Sequence, residues 1–337
     1  METIIFFLDD RKDFSDEIFK QVLKMGADVT LPFGDVNTEI FSDGEVSVDF
    51  KTSVRGKRVY IISSPDNSDK LIQLNMAIDG AKRAAAKEII PIIPYFPYAR
   101  QDKKDQIRGS IGAKVVAEMI ENRGATSIVT FDLHADQIQG FFNIPVIHME
   151  GKYLFAEKIK ELYDTTSGNL VLCSPDAGGT KRVKGVRDRM REKYNIDIPM
   201  VMIDKTRSKA NEIDEMVLIG DVRGRDILIV DDMADTCGTL IKASKNLLEK
   251  GGKSVRSIVT HGVLSGPAIE RLYKAIEDGV LMEFICSDTI SIQEWVTVIP
   301  KRIKTNTFIT TISSSNQIVK AIQAINLNTS VENLKKL

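Results

Sequence analysis

The chain has 337 residues, 43% hydrophobic and 28% charged, with 46 Lys and Arg against 47 Asp and Glu for a formal net charge of −1. That balance argues against a nucleic-acid binder driven by overall basic charge, and the length suits two α/β domains better than one. Cys173, Cys237 and Cys286 lack CxxC spacing, which argues against a disulfide framework or a structural zinc site and suits a reducing compartment.

The stretch "METIIFFLDDRKDF" is apolar over only 4–8 before two acids, too short for a signal peptide or a membrane span, so a cytoplasmic protein is expected. That run, "IIFFL", reads as a strand and is followed by a helical pattern over 14–25. "RVYIIS" (58–63) leads to a helix over roughly 68–86, "EIIPIIP" (88–94) to a polar loop and the helix "GAKVVAEMIENRG" (112–124), and "TSIVTFD" (126–132) closes the set. A second set begins at "NLVLCSPD" (169–176) and a helix over about 179–192. It continues through "IPMVMID" (198–204), "DILIVDD" (226–232), a helix over 238–250, "VRSIVTHG" (255–262) and "LMEFICSD" (281–288). Apolar strands bounded by helices indicate an α/β protein with mostly parallel sheets covered on both faces. The two sets share a rhythm. The boundary is expected near 150–165, giving an amino-terminal domain over 1–155 and a carboxyl-terminal one over 156–337. Ligands in such folds collect at the carboxyl ends of strands.

"VDDMADTCGT" (230–239) sits at such an end. The helix after it carries Leu240, Ile241, Leu247 and Leu248, with Gly251 and Gly252 as a stop. Backbone N–H groups from about Asp235 to Thr239 are helix-start donors, and with the hydroxyls of Thr236 and Thr239 they can surround one phosphate. Gly238 lets the backbone approach closely, and the spacing is not that of a Walker A loop. Asp231 and Asp232 precede this cradle. Two unit charges about 4 Å apart repel by roughly 1 kcal/mol in water and about 4 at an effective dielectric of 20, so carboxylates would oppose a phosphate placed on them. They suit the vicinal hydroxyls of a sugar. A sugar phosphate therefore satisfies the whole string, although the spacing alone also allows an acidic N-cap on an ordinary βα turn.

Further strings extend this reading: "FSDGE" (41–45), "YFPYARQDKKD" (95–105), "FDLHADQIQGFF" (131–142), "SPDAGGTKR" (174–182) and "THGVLSGPA" (260–268). Together with 230–239 they resemble the ribose-phosphate pyrophosphokinase family, in order from about residue 4 to about 325. The resemblance implies two similar domains of the type I phosphoribosyltransferase fold. It also implies Mg²⁺-dependent transfer of diphosphate from ATP to ribose 5-phosphate. By the family pattern, Asp231, Asp232, Asp235, Thr236, Cys237, Gly238 and Thr239 hold ribose 5-phosphate. Phe41, Asp43 and Glu45 belong to the adenine pocket, and Arg100 and Gln101 reach toward ATP. His134 and Asp176 contact the metal or its water. Lys205 and Arg207, in "DKTRSKAN" (204–211), are the catalytic cations, with His134 among the reacting groups. Chemistry agrees: an aromatic ring stacks on adenine, and a triphosphate beside carboxylates needs a cation that prefers oxygen ligands. His261 is expected to be structural, and His148 is left unassigned. The resemblance further implies a homo-oligomer, dimer-based and possibly hexameric, with neither nucleic acid nor membrane as a partner. A phosphoribosyltransferase would share 230–239 but would not need "FSDGE" or "YARQDKK". A non-catalytic associated protein would be expected to alter the catalytic segments, which are present here.

Overall fold

The computed structural model describes residues 1–8, 11–24, 31–206, 215–291 and 309–331. They divide into two compact units, one made of Met1–Glu150 with the chain from Ser314 onward, the other of Gly151–Ser313.

In the first unit β1 (Thr3–Phe7) is followed by a separate antiparallel hairpin, β2 (Val36–Ile40) and β3 (Val46–Phe50). Then come β4 (Arg58–Ile62), β5 (Glu88–Ile93), β6 (Ile128–Phe131) and β7 (Val146–Met149), which join β1 in a parallel sheet ordered β1-β4-β5-β6-β7. The strands read as continuous apolar runs because alternate residues enter different helical layers. Ile4 and Phe6 of β1 pack with α2 (Ser68–Arg83) and α3 (Gly112–Arg123). Ile5 packs on the opposite face with α1 (Lys12–Lys24) and the last helix, α8 (Ser315–Asn326).

The expected boundary at 155/156 falls inside α4 (Gly151–Thr165), and α8 joins the first unit instead of the second. Ile318, Val319 and Ile322 supply the reason, since they are buried in the cluster that contains Ile5, Tyr60 and Ile62. A polar latch reinforces it: Asn326 Oδ1 accepts from Thr3 Oγ1 at 3.2 Å, Arg58 Nη1 at 3.1 Å and Tyr60 Oη at 3.0 Å.

The second unit contains α4, β8 (Leu170–Ser174), α5 (Thr180–Tyr194), β9 (Met200–Thr206), β10 (Glu215–Ile219) and β11 (Asp226–Ala234). It continues with α6 (Gly238–Glu249), β12 (Ser254–Gly262), α7 (Ala268–Glu277), β13 (Glu283–Ser287) and β14 (Ile309–Ile312). Its sheet is ordered β10-β9-β8-β11-β12-β13-β14 and is parallel except where β10 meets β9. Ile227 and Ile229 of β11 face α6 and α7, whereas Leu228 and Val230 face α4 and α5. Both units are therefore α/β layers with mostly parallel sheets, as expected. No helix among the described residues is long and apolar enough to cross a membrane.

Candidate active site

The strand order of the second sheet reverses between β8 and β11: from β8 the chain first builds outward through β9 and β10, then returns to the other side. Such a switch point leaves a crevice beyond the strand ends. Here β8 pairs with β11 only as far as Cys173 opposite Ile229, then departs through Ser174, Pro175 and Asp176. β11 runs on beside β12 to Ala234. Asp231 and Asp232 lie on that extension.

Strand alternation sends Asp231 toward the α6 side of the sheet and Asp232 toward the α5 side. Asp232 is buried, while the side chain of Asp231 keeps 28% of its surface. Arg182, in the first turn of α5, brings Nη1 to 3.5 Å from Asp231 Oδ1 and 3.4 Å from Asp232 Oδ1. Burial, followed by the charge of Asp232, pushes the Asp231 carboxyl well above the ordinary carboxylate range, and Arg182 opposes that shift.

Next comes the helix start. Cys237 occupies the left-handed region (φ 58°) as the N-cap of α6, and no side chain caps the helix there. The leading N–H groups of α6 consequently face outward as donors, the arrangement that binds an anion. The loop is braced from behind by the "THGVLSGPA" segment and α7. Ser265 Oγ donates to Asp235 Oδ1, Leu264 N to Ala234 O at 3.0 Å, and Arg271 Nη1 to Thr236 O at 2.9 Å. A Cβ on Gly238 would stand 3.3 Å from Arg271 Nη1, so glycine keeps that brace close. Cys237 is buried, and burial, then the charge of Asp235, pushes its thiol up to about 12.

Asp176 is held by its own loop. Ser174 Oγ donates to Asp176 O at 2.6 Å, and Gly179 N donates to Asp176 Oδ1 at 2.9 Å. A Cβ on Gly179 would lie 2.8 Å from Ser174 Oγ, so this turn closes only around glycine.

The first unit presents the remaining predicted groups. Phe41 to Glu45 form the tip of the β2–β3 hairpin, closed by Phe41 N to Glu45 O at 2.7 Å and by Glu45 N to Asp43 Oδ1 at 3.0 Å. All of that tip is exposed, Phe41 included at 46%. Arg100 and Gln101 lie in the turn after β5, exposed. A Cβ on Gly112 would come within 2.6 Å of Gln101 Oε1, so the bare helix start of α3 is what seats the Gln101 side chain. His134 follows β6 and is exposed. The residue before it, Leu133, donates its N–H to His148 Nε2 at 2.9 Å, which gives His148 a role in shaping that loop. His261 is buried with Nδ1 2.9 Å from Thr289 Oγ1, in keeping with a structural part.

The second unit thus brings together Asp231, Asp232, Asp235, Thr236, Cys237, Gly238 and Thr239, with Asp176 on the neighbouring strand's exit. His134 and Asp176, the expected metal pair, belong to different units. Among the described residues no group of three or more His, Cys, Asp or Glu could hold a metal by itself. Lys205 lies in β9 opposite Met216, while its side chain and the whole of Arg207 fall outside the described residues. Arg182, Ser265 and Arg271 carry site contacts that the sequence reading did not assign. Arg182 lies six residues beyond Asp176, but 49 residues before Asp231, so its contact with the acid pair is visible only in the fold.

A mostly parallel α/β sheet with carboxylates and an open helix start at its switch point defines a phosphoribosyltransferase type of protein. A profile of the phosphoribosyl transferase domain matches residues 143–280, and one of the N-terminal domain of ribose phosphate pyrophosphokinase matches 3–124. Ribose-phosphate pyrophosphokinase of Porphyromonas gingivalis is 45% identical over 260 residues, 77% of this chain and 79% of that one. Ribose-phosphate pyrophosphokinase A of Dictyostelium discoideum is 42% identical over 310 residues, 91% and 92% of the two chains. The crystal structure of phosphoribosylpyrophosphate synthetase from Mycobacterium smegmatis is similar with a TM-score of 0.82 and 33% identity, covering 97% of this chain and 100% of that chain. The chain belongs to the ribose-phosphate pyrophosphokinase family and is an enzyme.

Proposed function

We propose that the enzyme transfers the β,γ-diphosphate of ATP to the C1 hydroxyl of ribose 5-phosphate, giving 5-phosphoribosyl 1-diphosphate and AMP. The observation that carries this is the carboxylate pair at the end of β11 running directly into the uncapped start of α6. Asp231 and Asp232 accept from the vicinal ribose hydroxyls, and the N–H groups and hydroxyls of 236–239 take the 5-phosphate. Held at both ends, the sugar presents C1 outward. Its hydroxyl oxygen bonds to the β-phosphorus, the bridge between α- and β-phosphorus breaks, and AMP leaves with that bridging oxygen. Positioning of this kind lowers the barrier by fixing the near-attack geometry.

ATP is read as lying against Phe41, Asp43, Glu45, Arg100 and Gln101. The family reading calls for Mg²⁺, which takes one or two protein groups and completes its shell with water and phosphate oxygens. His134 and Asp176 would hold it, and when bound it neutralises the phosphates. Lys205 and Arg207 stabilise the charge that develops on the transferred group. Lys205→Ala is expected to lower kcat by at least about 10²-fold with the fold intact, the scale of losing one transition-state donor. Steady-state rates beside a thermal melt check this. The family reading also carries a cytoplasmic homo-oligomer.

The test of the reaction is ³¹P NMR of Mg-ATP turnover with and without ribose 5-phosphate. AMP appearing in step with a sugar 1-diphosphate supports diphosphoryl transfer. ADP as the product overturns it in favour of simple phosphorylation, and no turnover by folded protein points to a non-catalytic member.

A further inference from the structure

Cys237 stands where a residue with a side chain seldom does. Its φ of 58° lies in the left-handed region, and such a conformation persists only where the surroundings hold it. Three successive residues before it are tied to the segment that follows β12. Ala234 O accepts from Leu264 N at 3.0 Å, Asp235 Oδ1 from Ser265 Oγ, and Thr236 O from Arg271 Nη1 at 2.9 Å. The first two fix the path of the chain. The third falls on the peptide that leads into α6.

That peptide is trans, so its carbonyl and its N–H point in opposite directions. With Thr236 O turned to Arg271 of α7, the Cys237 N–H points away from α7. The crevice between β8 and β11 lies on the side of the sheet away from β12 and α7. Among the described residues the Cys237 N–H has no acceptor. Turning this one peptide over would return Cys237 to the ordinary extended region. It would also aim the Thr236 oxygen at the place an anion has to occupy. The backbone preference of a non-glycine residue therefore runs against an anion site here, and the Arg271 bond opposes that preference.

We propose that Arg271 is a positioning residue: by holding the Thr236 carbonyl it keeps the Cys237 N–H presented as a donor to the 5-phosphate. The inference rests on the reading that 236–239 take that phosphate. Gly238 belongs to the same device, since a Cβ there would stand 3.3 Å from Arg271 Nη1 and press the guanidinium off the carbonyl. Arg271 itself is exposed and takes no part in the apolar clusters, so replacing it leaves the packing of α7 intact.

The test uses the full-length enzyme saturated with Mg²⁺ and α,β-methylene ATP, whose α–β bridge cannot be cleaved, and follows ribose 5-phosphate binding by calorimetry. Arg271→Met keeps the stem and removes the donor. It should weaken ribose 5-phosphate binding by about tenfold, the scale of one hydrogen bond to a charged group, with the affinity for the ATP analogue and the melting temperature unchanged. The loss should be equal at low and high salt. A loss that vanishes in high salt overturns the proposal in favour of attraction by charge alone, and an unchanged affinity overturns it outright. Orientation is read by labelling with ¹⁵N-cysteine. The chain has three cysteines, and the Cys237 signal is the one missing in Cys237→Ala. On binding ribose 5-phosphate the Cys237 amide proton of the wild type should move downfield, while that of Cys286, inside β13, stays in place. In Arg271→Met the movement should shrink. A Cys237 amide that does not move in saturated wild-type enzyme overturns the proposal whether or not the variant folds. Thr239→Asp is the control, because an acid suits a helix start but puts a carboxylate in the cradle. If it leaves ribose 5-phosphate affinity unchanged, the phosphate reading of 236–239 fails; if it abolishes binding while Arg271→Met binds as wild type, only the present inference fails.

Discussion

At its amino end β11 begins with Asp226, a buried carboxylate that accepts from Ser254 Oγ at 2.6 Å and Lys253 Nζ at 3.0 Å. Burial works to raise its pKa, but these bonds outweigh it and hold the group below the ordinary 3.8. Five residues on, Asp231 is shifted the opposite way. The difference is one of partners: Asp226 has committed donors, whereas burial and the neighbouring charge of Asp232 act on Asp231. For Asp226 the folded pKa lies below the unfolded one. Its stabilisation is therefore present above the unfolded value and is lost as pH falls through the folded one. Asp226→Asn should lower the urea midpoint near neutral pH, and its curve should converge on the wild-type curve as the pH falls below the unfolded value of 3.8. Parallel curves over that range would show that the carboxylate contributes nothing by its charge.

Among the elements, the strands that were legible are those enclosed on both faces. β1, β4, β5, β6, β8, β9, β11, β12 and β13 carry apolar runs because their buried apolar residues pack into one core cluster or another on either face of the sheets. The ones passed over are edge or outlying strands. The β2–β3 hairpin alternates half-buried with exposed residues, and β7 and β14 are four residues long and only partly covered. No continuous apolar run marks such strands. The loop at 230–239 was legible for a different reason, because its charge and its glycine conflict unless one ligand satisfies both. What its residues could not convey is the bracing from Ser265 and Arg271, which are distant in sequence and join it only through β12 and α7. The α8 latch belongs to the same class of long-range contact. Asn326→Leu would leave the Tyr60 hydroxyl with a long contact to Ile322 O at 3.5 Å while Arg58 Nη1 keeps Ile325 O at 3.1 Å, and an unmet buried donor costs about 1–3 kcal/mol. A drop of that size in unfolding free energy of the first unit is expected, measured by urea titration. A neutral result would mean that water replaces the amide.

For the whole molecule, periodicity marked two units but not where α8 belongs, because an apolar stripe at helical spacing does not say which sheet it will cover. Gly151–Ser313 is in effect inserted between two parts of the first unit. Ending the chain at Ser313 should therefore strip hydrogen-exchange protection from β1 and β4, which lose their α8 cover, while β11 and β12 keep theirs. Loss confined to the second unit would contradict the assignment. The insertion also sets an order of events on the ribosome. Domains generally form as they emerge, amino-terminal first. Here the face of the first sheet that carries Tyr60 and Ile62 is not covered by Ile318 and Ile322 until these have emerged from the ribosome, after Gly151–Ser313. The unit that began first therefore waits with an incompletely covered apolar face while the second is being made, so the earliest-made part of this protein is the part most in need of a chaperone.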